Sequence, residues 1–261
     1  MLRSLYTAAT GMIGQQQQMD VTSNNIANVN TTSFKKNRAE FKDLLYQELN
    51  FSSRQVSENV DKPVGIQVGL GTKISAINTL FTQGSLKETG NNLDVAIAGK
   101  GFFKVMLANG EEAFTRDGNF KIDSNGTIVT SNGLIVQPEL TIPDNTVLVN
   151  IGKDGTVTAN LGDNTTVDVG QIMLYDFVNP AGLHKMGGNI YTETTNSGTA
   201  NETIPGLNGV GTLEQGFLEA SNVELVTEMT DLITGQRAYE ANSKSIKTAD
   251  DMLQIINNLK S

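Results

Sequence analysis

SNVELVTEMTDLITGQRAYEANSKSIKTADDMLQIINNLKS, residues 221–261, carries an apolar side chain at every seventh position: Leu225, Leu232, Tyr239, Ile246 and Leu253. An α-helix makes one turn in about 3.6 residues, so a sevenfold repeat gathers these five side chains along one narrow stripe. Thr230, Gln236, Arg237, Asn242, Lys244 and Asp250 fill the intervals with polar groups. Ser221 and Glu224 stand at capping-box spacing just ahead of the repeat and predict the helix start. A helix of about 38 residues runs roughly 57 Å, too long for a domain of this size to cover, so it needs a partner beside it.

The first thirty residues offer that partner. Leu5, Met12, Met19 and Ile26 are also seven apart, with Leu2 and Ala9 at the companion seam position before it turns polar at Gln16 and Ser23. Gly11, Gly14 and the run Thr22-Ser23-Asn24-Asn25 weaken this helix. With Gln, Ser, Asn and Gly in the seams, two such strands leave apolar edges that other copies must cover.

Between the two stripes the pattern changes. From about Thr31 to Gln83 periodicity is poor. Phe34, Phe41 and Leu44-Leu45 suit a short helix or an irregular packed segment, and Leu49 to Lys62 is turn-like. Pro63 to Gly69 reads as extended chain, and a stretch this long with little pattern of its own is ordered by a neighbour. Residues 84–211 are strand territory: Leu93, Val95 and Ile97 alternate with small or polar residues, and the parity resumes at Phe103 and Val105. Asn109-Gly110, Asn125-Gly126, Asn132-Gly133 and Asp154-Gly155 each separate candidate strands, and such dipeptides mark β-hairpins. The middle is therefore an antiparallel β-domain. Residues Thr192 to Gly211 are expected to loop back toward the termini.

Composition narrows the chemistry. The chain has 261 residues, a net charge of −9 and no cysteine, which disfavours nucleic acid or an anionic membrane as the main partner. No run of about 18 apolar residues predicts a membrane span, and the N-terminus, leading into Gln15-Gln16-Gln17-Gln18, does not read as a cleaved secretory leader. The single histidine, His184, follows Asn179-Pro180-Ala181-Gly182-Leu183 and reads as a solvated turn residue. Without cysteine or a second histidine there is no zinc set, and no Gly-x-Ser-x-Gly elbow accompanies His184. Gly69-Leu70-Gly71 and Gly99-Lys100-Gly101 lack the helix that a phosphate-binding loop requires. Asp117-Gly118-Asn119 and Asp123-Ser124-Asn125-Gly126 have no glutamate at EF-hand spacing and read as turns. No catalytic, cofactor or metal site is expected, and the chain is not read as an enzyme.

Several motifs resemble a known family. Ser23-Asn24-Asn25-Ile26-Ala27-Asn28-Val29-Asn30-Thr31-Thr32-Ser33-Phe34-Lys35 looks like the N-terminal signature of the bacterial flagellar rod and hook proteins, except that the position after Thr32, often glycine there, is Ser33. Leu93 to Val105, Phe114 to Phe120 and Gly126 to Thr130 resemble the opening of their β-domain. Glu219 to Leu225 and Gln236 to Asn242 resemble their C-terminal motif. Length and segment pattern are closest to the distal-rod members, and the stretch Tyr46 to Gly71 is similar to an insertion tied in that group to a straight, stiff tube.

The resemblance implies a structural subunit of a helical tube that carries torque from motor to hook. It also implies neighbouring rod and hook proteins, a surrounding ring bushing, the flagellar export apparatus and a periplasmic location in the basal body, with no cofactor, nucleic acid or membrane insertion. The expected fold is mainly β with long helical termini. It comprises a coiled-coil domain from 1–33 with 222–261, an extended linking region from 34–84 with 209–221, and an antiparallel β-domain over 85–208. The assembly contacts are assigned to Leu5, Met12, Met19, Ile26, Leu225, Leu232, Tyr239, Ile246 and Leu253. Alternatives are another axial paralogue, a β-rich adhesin with a coiled-coil stalk and, third, a polysaccharide-cleaving enzyme.

Overall fold

Residues Leu2–Ala27 form one unbroken helix, α1, in spite of Gly11 and Gly14, because both glycines admit a neighbouring side chain at close range. A Cβ at Gly11 would lie 2.9 Å from Asn242 Nδ2, and one at Gly14 would lie 3.2 Å from Phe41 Cε1. The computed structural model describes residues 2–50, 65–163 and 165–259. The chain divides into two units: the first gathers 1–27, 37–79 and 224–261, and the second 28–36 and 80–223.

In the first unit, α2 (Leu225–Leu259) runs for 35 residues alongside α1. Its start differs from the capping-box expectation. The Ser221 hydroxyl instead accepts the Val223 N–H at 3.3 Å. The region that looked irregular is a β-ribbon. Strand β1 (Asn37–Asp43) pairs antiparallel with β4 (Thr72–Thr79), and β2 (Tyr46–Asn50) pairs with β3 (Ile66–Gly69). Between Glu40 and Phe41 the register jumps from Ala76 to Ile74, so Ser75 is bulged out of the ladder; such bulges bend a strand and re-aim its side chains. Phe41 meets α1 at Gly14. The reading of this stretch as ordered only by a neighbour is thus corrected for its described ends: backbone hydrogen bonds, which need no apolar alternation, hold 46–50 against 66–69. Residues 51–64 of that stretch lie outside the described residues.

Among its described residues the second unit holds sixteen further strands, every pairing antiparallel. In chain order they are β5 (Leu86–Glu88), β6 (Val95–Ala98), β7 (Phe103–Met106), β8 (Glu112–Thr115), β9 (Phe120–Ile122), β10 (Ile128–Thr130), β11 (Ile135–Gln137) and β12 (Thr146–Ile151). There follow β13 (Thr156–Leu161), β14 (Thr166–Gln171), β15 (Leu174–Asp176), β16 (His184–Gly187), β17 (Ile190–Thr192), β18 (Asn201–Thr203), β19 (Thr212–Gln215) and β20 (Phe217–Glu219). The largest sheet runs β16-β17-β8-β7-β11-β10-β9, and β12-β13-β14 form a second. Pairs β15–β18, β6–β19 and β5–β20 complete the unit.

The four Asn-Gly and Asp-Gly turns all close hairpins, with positive φ confined to Gly110, Gly126, Gly133 and Gly155. Three-residue loops of this kind use a glycine at their last position. Inward alternation then buries Val95, Ile97, Phe103, Val105, Phe120 and Leu213 in one core. A second cluster stacks Phe102, Phe114, Phe177 and Tyr191. Edge-to-face ring pairs of this kind contribute about 0.5–1.5 kcal/mol each beyond their buried area.

Two boundaries differ from expectation. The linking region of 34–84 with 209–221 is not a body of its own: 37–79 belongs with the helices and 209–221 with the sheets. The Thr192–Gly211 stretch also contributes a strand, β18, to the β-unit.

Candidate functional site

Contacts between α1 and α2 fix how the two helices run, and Met19 of the expected assembly residues takes part in them. Asn25 bonds Glu228, Gly235 meets Met19, and Gly11 meets Asn242, so residue numbers fall along one helix as they rise along the other. The helices are antiparallel. Leu5, Met12, Met19, Ile26, Leu232, Ile246 and Leu253 are half-buried, whereas Leu225 and Tyr239 are exposed. The companion positions are not those expected. Gln16 and Ser23 are exposed, while Ala8 and Thr22 are buried. On α2 the most enclosed residues are Glu228, Gly235 and Ala249.

Sequence reasoning passed over these companions because small and polar residues do not announce a seam. Their packing is specific nonetheless. Asn25 Nδ2 donates to Glu228 Oε2 at 3.0 Å and to the Asn37 carbonyl at 2.9 Å, and Asn25 Oδ1 accepts the Asn37 N–H. A Cβ at Gly235 would stand 3.3 Å from Met19 Cγ. At the same offset Leu2 is level with about Asp251, so the end of α2 continues roughly 12 Å beyond α1.

Away from this seam both helices keep apolar side chains in water. Tyr6 and Ile13 on α1, and Val226, Met229, Ile233, Ile255 and Ile256 on α2, are exposed. Val226 is 73 % exposed. The ribbon adds Leu45, 85 % exposed, with Tyr46, Leu49 and Ile66. Single apolar residues are ordinary on a surface, but this many large ones left exposed on two helices and a ribbon mark a contact region. A shallow hollow of about 450 Å³ beside α2 is lined by Tyr239, Glu240, Ser243, Lys244 and Lys247.

The β-unit buries one charge cluster. Lys35 and Glu219 are fully enclosed and Arg116 nearly so. Lys35 Nζ donates to Glu219 Oε1 at 2.5 Å and to the Thr82 carbonyl at 2.8 Å. Arg116 Nε donates to Glu219 Oε2 at 2.9 Å, and its two terminal nitrogens donate to the Gly101 and Gly99 carbonyls. Burial, with the Arg116 cation adding to it, pushes the Lys35 ammonium below the usual lysine value against the pull of Glu219. Gly99 and Gly101, both at positive φ, thus supply acceptors to a guanidinium.

None of this is a reaction centre. His184 is exposed at the start of β16. Burial raises the Asp117 carboxyl above the usual range, but its Asp-Gly-Asn segment serves as a turn in which Asp117 accepts the Asn119 N–H. Among the described residues no three His, Cys, Asp or Glu side chains gather where a metal could be held. No helix among them is long and apolar enough to cross a membrane.

Three family models match the chain. They are the flagella basal body rod protein model over residues 5–35, the flagellar hook protein FlgE/F/G D1 domain over 96–159, and the flagellar basal body rod FlgEFG protein C-terminal model over 214–259. The flagellar basal-body rod protein FlgG of Borreliella burgdorferi is 48% identical over 263 residues, covering 100% of this chain and 99% of that one. The FlgG proteins of Caulobacter vibrioides and Bacillus subtilis are 47% and 42% identical, each over 100% of both chains. The chain belongs to the flagellar basal-body rod protein family. It is a structural subunit of the flagellar rod in the basal body and not an enzyme, which removes the adhesin and polysaccharide-enzyme alternatives. The three matched regions of this rod protein also explain the charge cluster's scatter in sequence. Lys35 ends one region, Arg116 lies in the second and Glu219 in the third.

Proposed function

We propose that this rod subunit polymerises through α1 and α2 into a stiff helical tube of the distal rod, and that the tube transmits torque from motor to hook. The observation that carries the reading is the number of large apolar side chains left in water on both helices and the ribbon. α1 and α2 pair as a coiled coil through Leu5, Met12, Met19, Ile26, Leu225, Leu232, Tyr239, Ile246 and Leu253. Their outward side chains, Tyr6, Ile13, Val226 and Ile233 among them, meet other copies. Each Leu- or Ile-sized side chain so covered contributes on the order of 1.5–3 kcal/mol, and head-to-tail contacts that do not close generate an open helix. Rod and hook proteins are the axial neighbours, and a ring bushing surrounds the tube in the periplasm. Delivery is by the flagellar export apparatus.

In dilute solution the helices fold only partly, since narrow stripes with polar seams are marginal alone. The test is concentration-dependent polymerisation followed by sedimentation and electron microscopy. Tubes should form with the parent chain and vanish with Leu232→Asp or Ile246→Asp, while the β-unit's near-ultraviolet circular dichroism is unchanged. Equal polymerisation by these variants rules the helical contacts out.

A further inference from the structure

The cluster around Glu219 joins two parts of the chain that lie far apart in sequence. Residues 28–36 lead out of α1, and 219–223 lead into α2. Within the β-unit these leads are stapled side by side. The Ser33 N–H donates to the Glu219 carbonyl at 2.8 Å, and the Lys36 N–H donates to Asn222 Oδ1 at 2.8 Å. Asn222 Nδ2 in turn reaches the Leu80 and Thr82 carbonyls. The Ser33 hydroxyl donates to the Arg116 carbonyl at 2.8 Å. At the centre, one carboxylate answers two buried cations and also accepts the Gly84 N–H at 2.9 Å.

We propose that Glu219 is a positioning residue that holds the two leads together, and that this tether commits α1 to pair with α2 of its own copy instead of a neighbour's. The physical basis is effective concentration. Two segments tied by short leads meet each other roughly 10²- to 10⁴-fold more readily than they meet a second copy. With the staple opened, exchange of an identical helix between copies becomes the competing route. Removing the carboxylate alone leaves Lys35 and Arg116 buried without a counter-charge, which opens the staple. Removing the Lys35 charge as well relieves the repulsion of two uncompensated cations and returns the cluster to one net positive charge, with Arg116 keeping the Gly99 and Gly101 carbonyls and Thr82 keeping Asn222.

The chain has no cysteine, so engineered pairs report without background. Gly11→Cys with Asn242→Cys places thiols where a Cβ at Gly11 already lies 3.4 Å from Asn242 Cγ. Oxidised dilute, this full-length variant should give a single-chain disulfide on a non-reducing gel. Adding Glu219→Gln should shift the product at least several-fold toward disulfide-linked oligomers. Adding Lys35→Met to that should return it to the single-chain form, a rescue that loss of packing alone does not produce. An unchanged single-chain disulfide in the Glu219→Gln protein overturns the proposal, and so does a failure of Lys35→Met to rescue. The inference rests on the helix pairing in the reading above but is scored by disulfide partner, whereas polymerisation is scored by sedimentation. The two can therefore fail separately.

Discussion

Replacing Ser33 separates two effects that meet at one residue. Its φ of 56° is left-handed, a conformation that costs a residue with a Cβ about 1–2 kcal/mol. Its side chain is fully buried and donates to the Arg116 carbonyl at 2.8 Å. Ser33→Ala keeps the backbone cost and strips the buried carbonyl of that donor, so stability should fall by about 1–3 kcal/mol. Ser33→Gly loses the same bond and adds unfolded-chain entropy, about 0.5–1 kcal/mol, yet it relieves a larger backbone cost of about 1–2 kcal/mol. The glycine variant should therefore be more stable than the alanine variant by roughly 1 kcal/mol. Urea unfolding followed by tyrosine fluorescence measures both, since Tyr175 and Tyr191 are buried in the same unit. Alanine at parental stability, or glycine below alanine, refutes the account.

Other outcomes follow from the same geometry. Gly118→Ala would put a Cβ 1.7 Å from the carbonyl oxygen of fully buried Val95 and should cost more than about 3 kcal/mol in thermal unfolding. Gly133→Ala, with open space around it and only its positive φ of 78° to offend, should cost about 1 kcal/mol. Burial lowers the Lys185 ammonium from 10.5 to about 8. Between those values the unfolded chain holds a proton that the folded chain has released, so stability should rise with pH from about 8 to 10 and Lys185→Met should flatten the rise. Above pH 10 the Tyr191 hydroxyl, raised by burial to about 12, opposes it, because the folded chain then keeps the proton. Shortening the ribbon by deleting 46–71 should leave subunits able to polymerise but give tubes that bend more in electron micrographs. Rods of undiminished straightness count against a stiffening role.

What the sequence disclosed was local. Asn109-Gly110 and its three counterparts announced hairpins because turn chemistry depends on a pair of adjacent residues. Leu232, Ile246 and Met19 announced helix faces because periodicity depends on one segment. The companion seam was missed where Glu228, Gly235 and Ala249 do the packing, since a hole for Met19 reads as a helix-breaking glycine. The ribbon was missed because its apolar side chains, Leu45 and Tyr46 among them, face water and so follow no inward alternation. Lys35 and Glu219 lie 184 residues apart, and nothing in either neighbourhood shows that folding will bury them together.

The shared carboxylate of Glu219 also constrains how such a sequence can change over time. Positions 35, 116 and 219 are separate codons but one electrostatic object. Losing Glu219 first leaves two buried cations uncompensated, whereas losing Lys35 first leaves the Arg116–Glu219 pair in place, with Thr82 still bonded by Asn222 and Glu219 by Gly84. A lineage moving from this arrangement to an uncharged one is therefore constrained in the order of its changes, because Glu219 cannot go first without exposing two uncompensated cations to each other. Variants at these three positions should accordingly be read as combinations, and the effect of one substitution will depend on the residues already present at the other two.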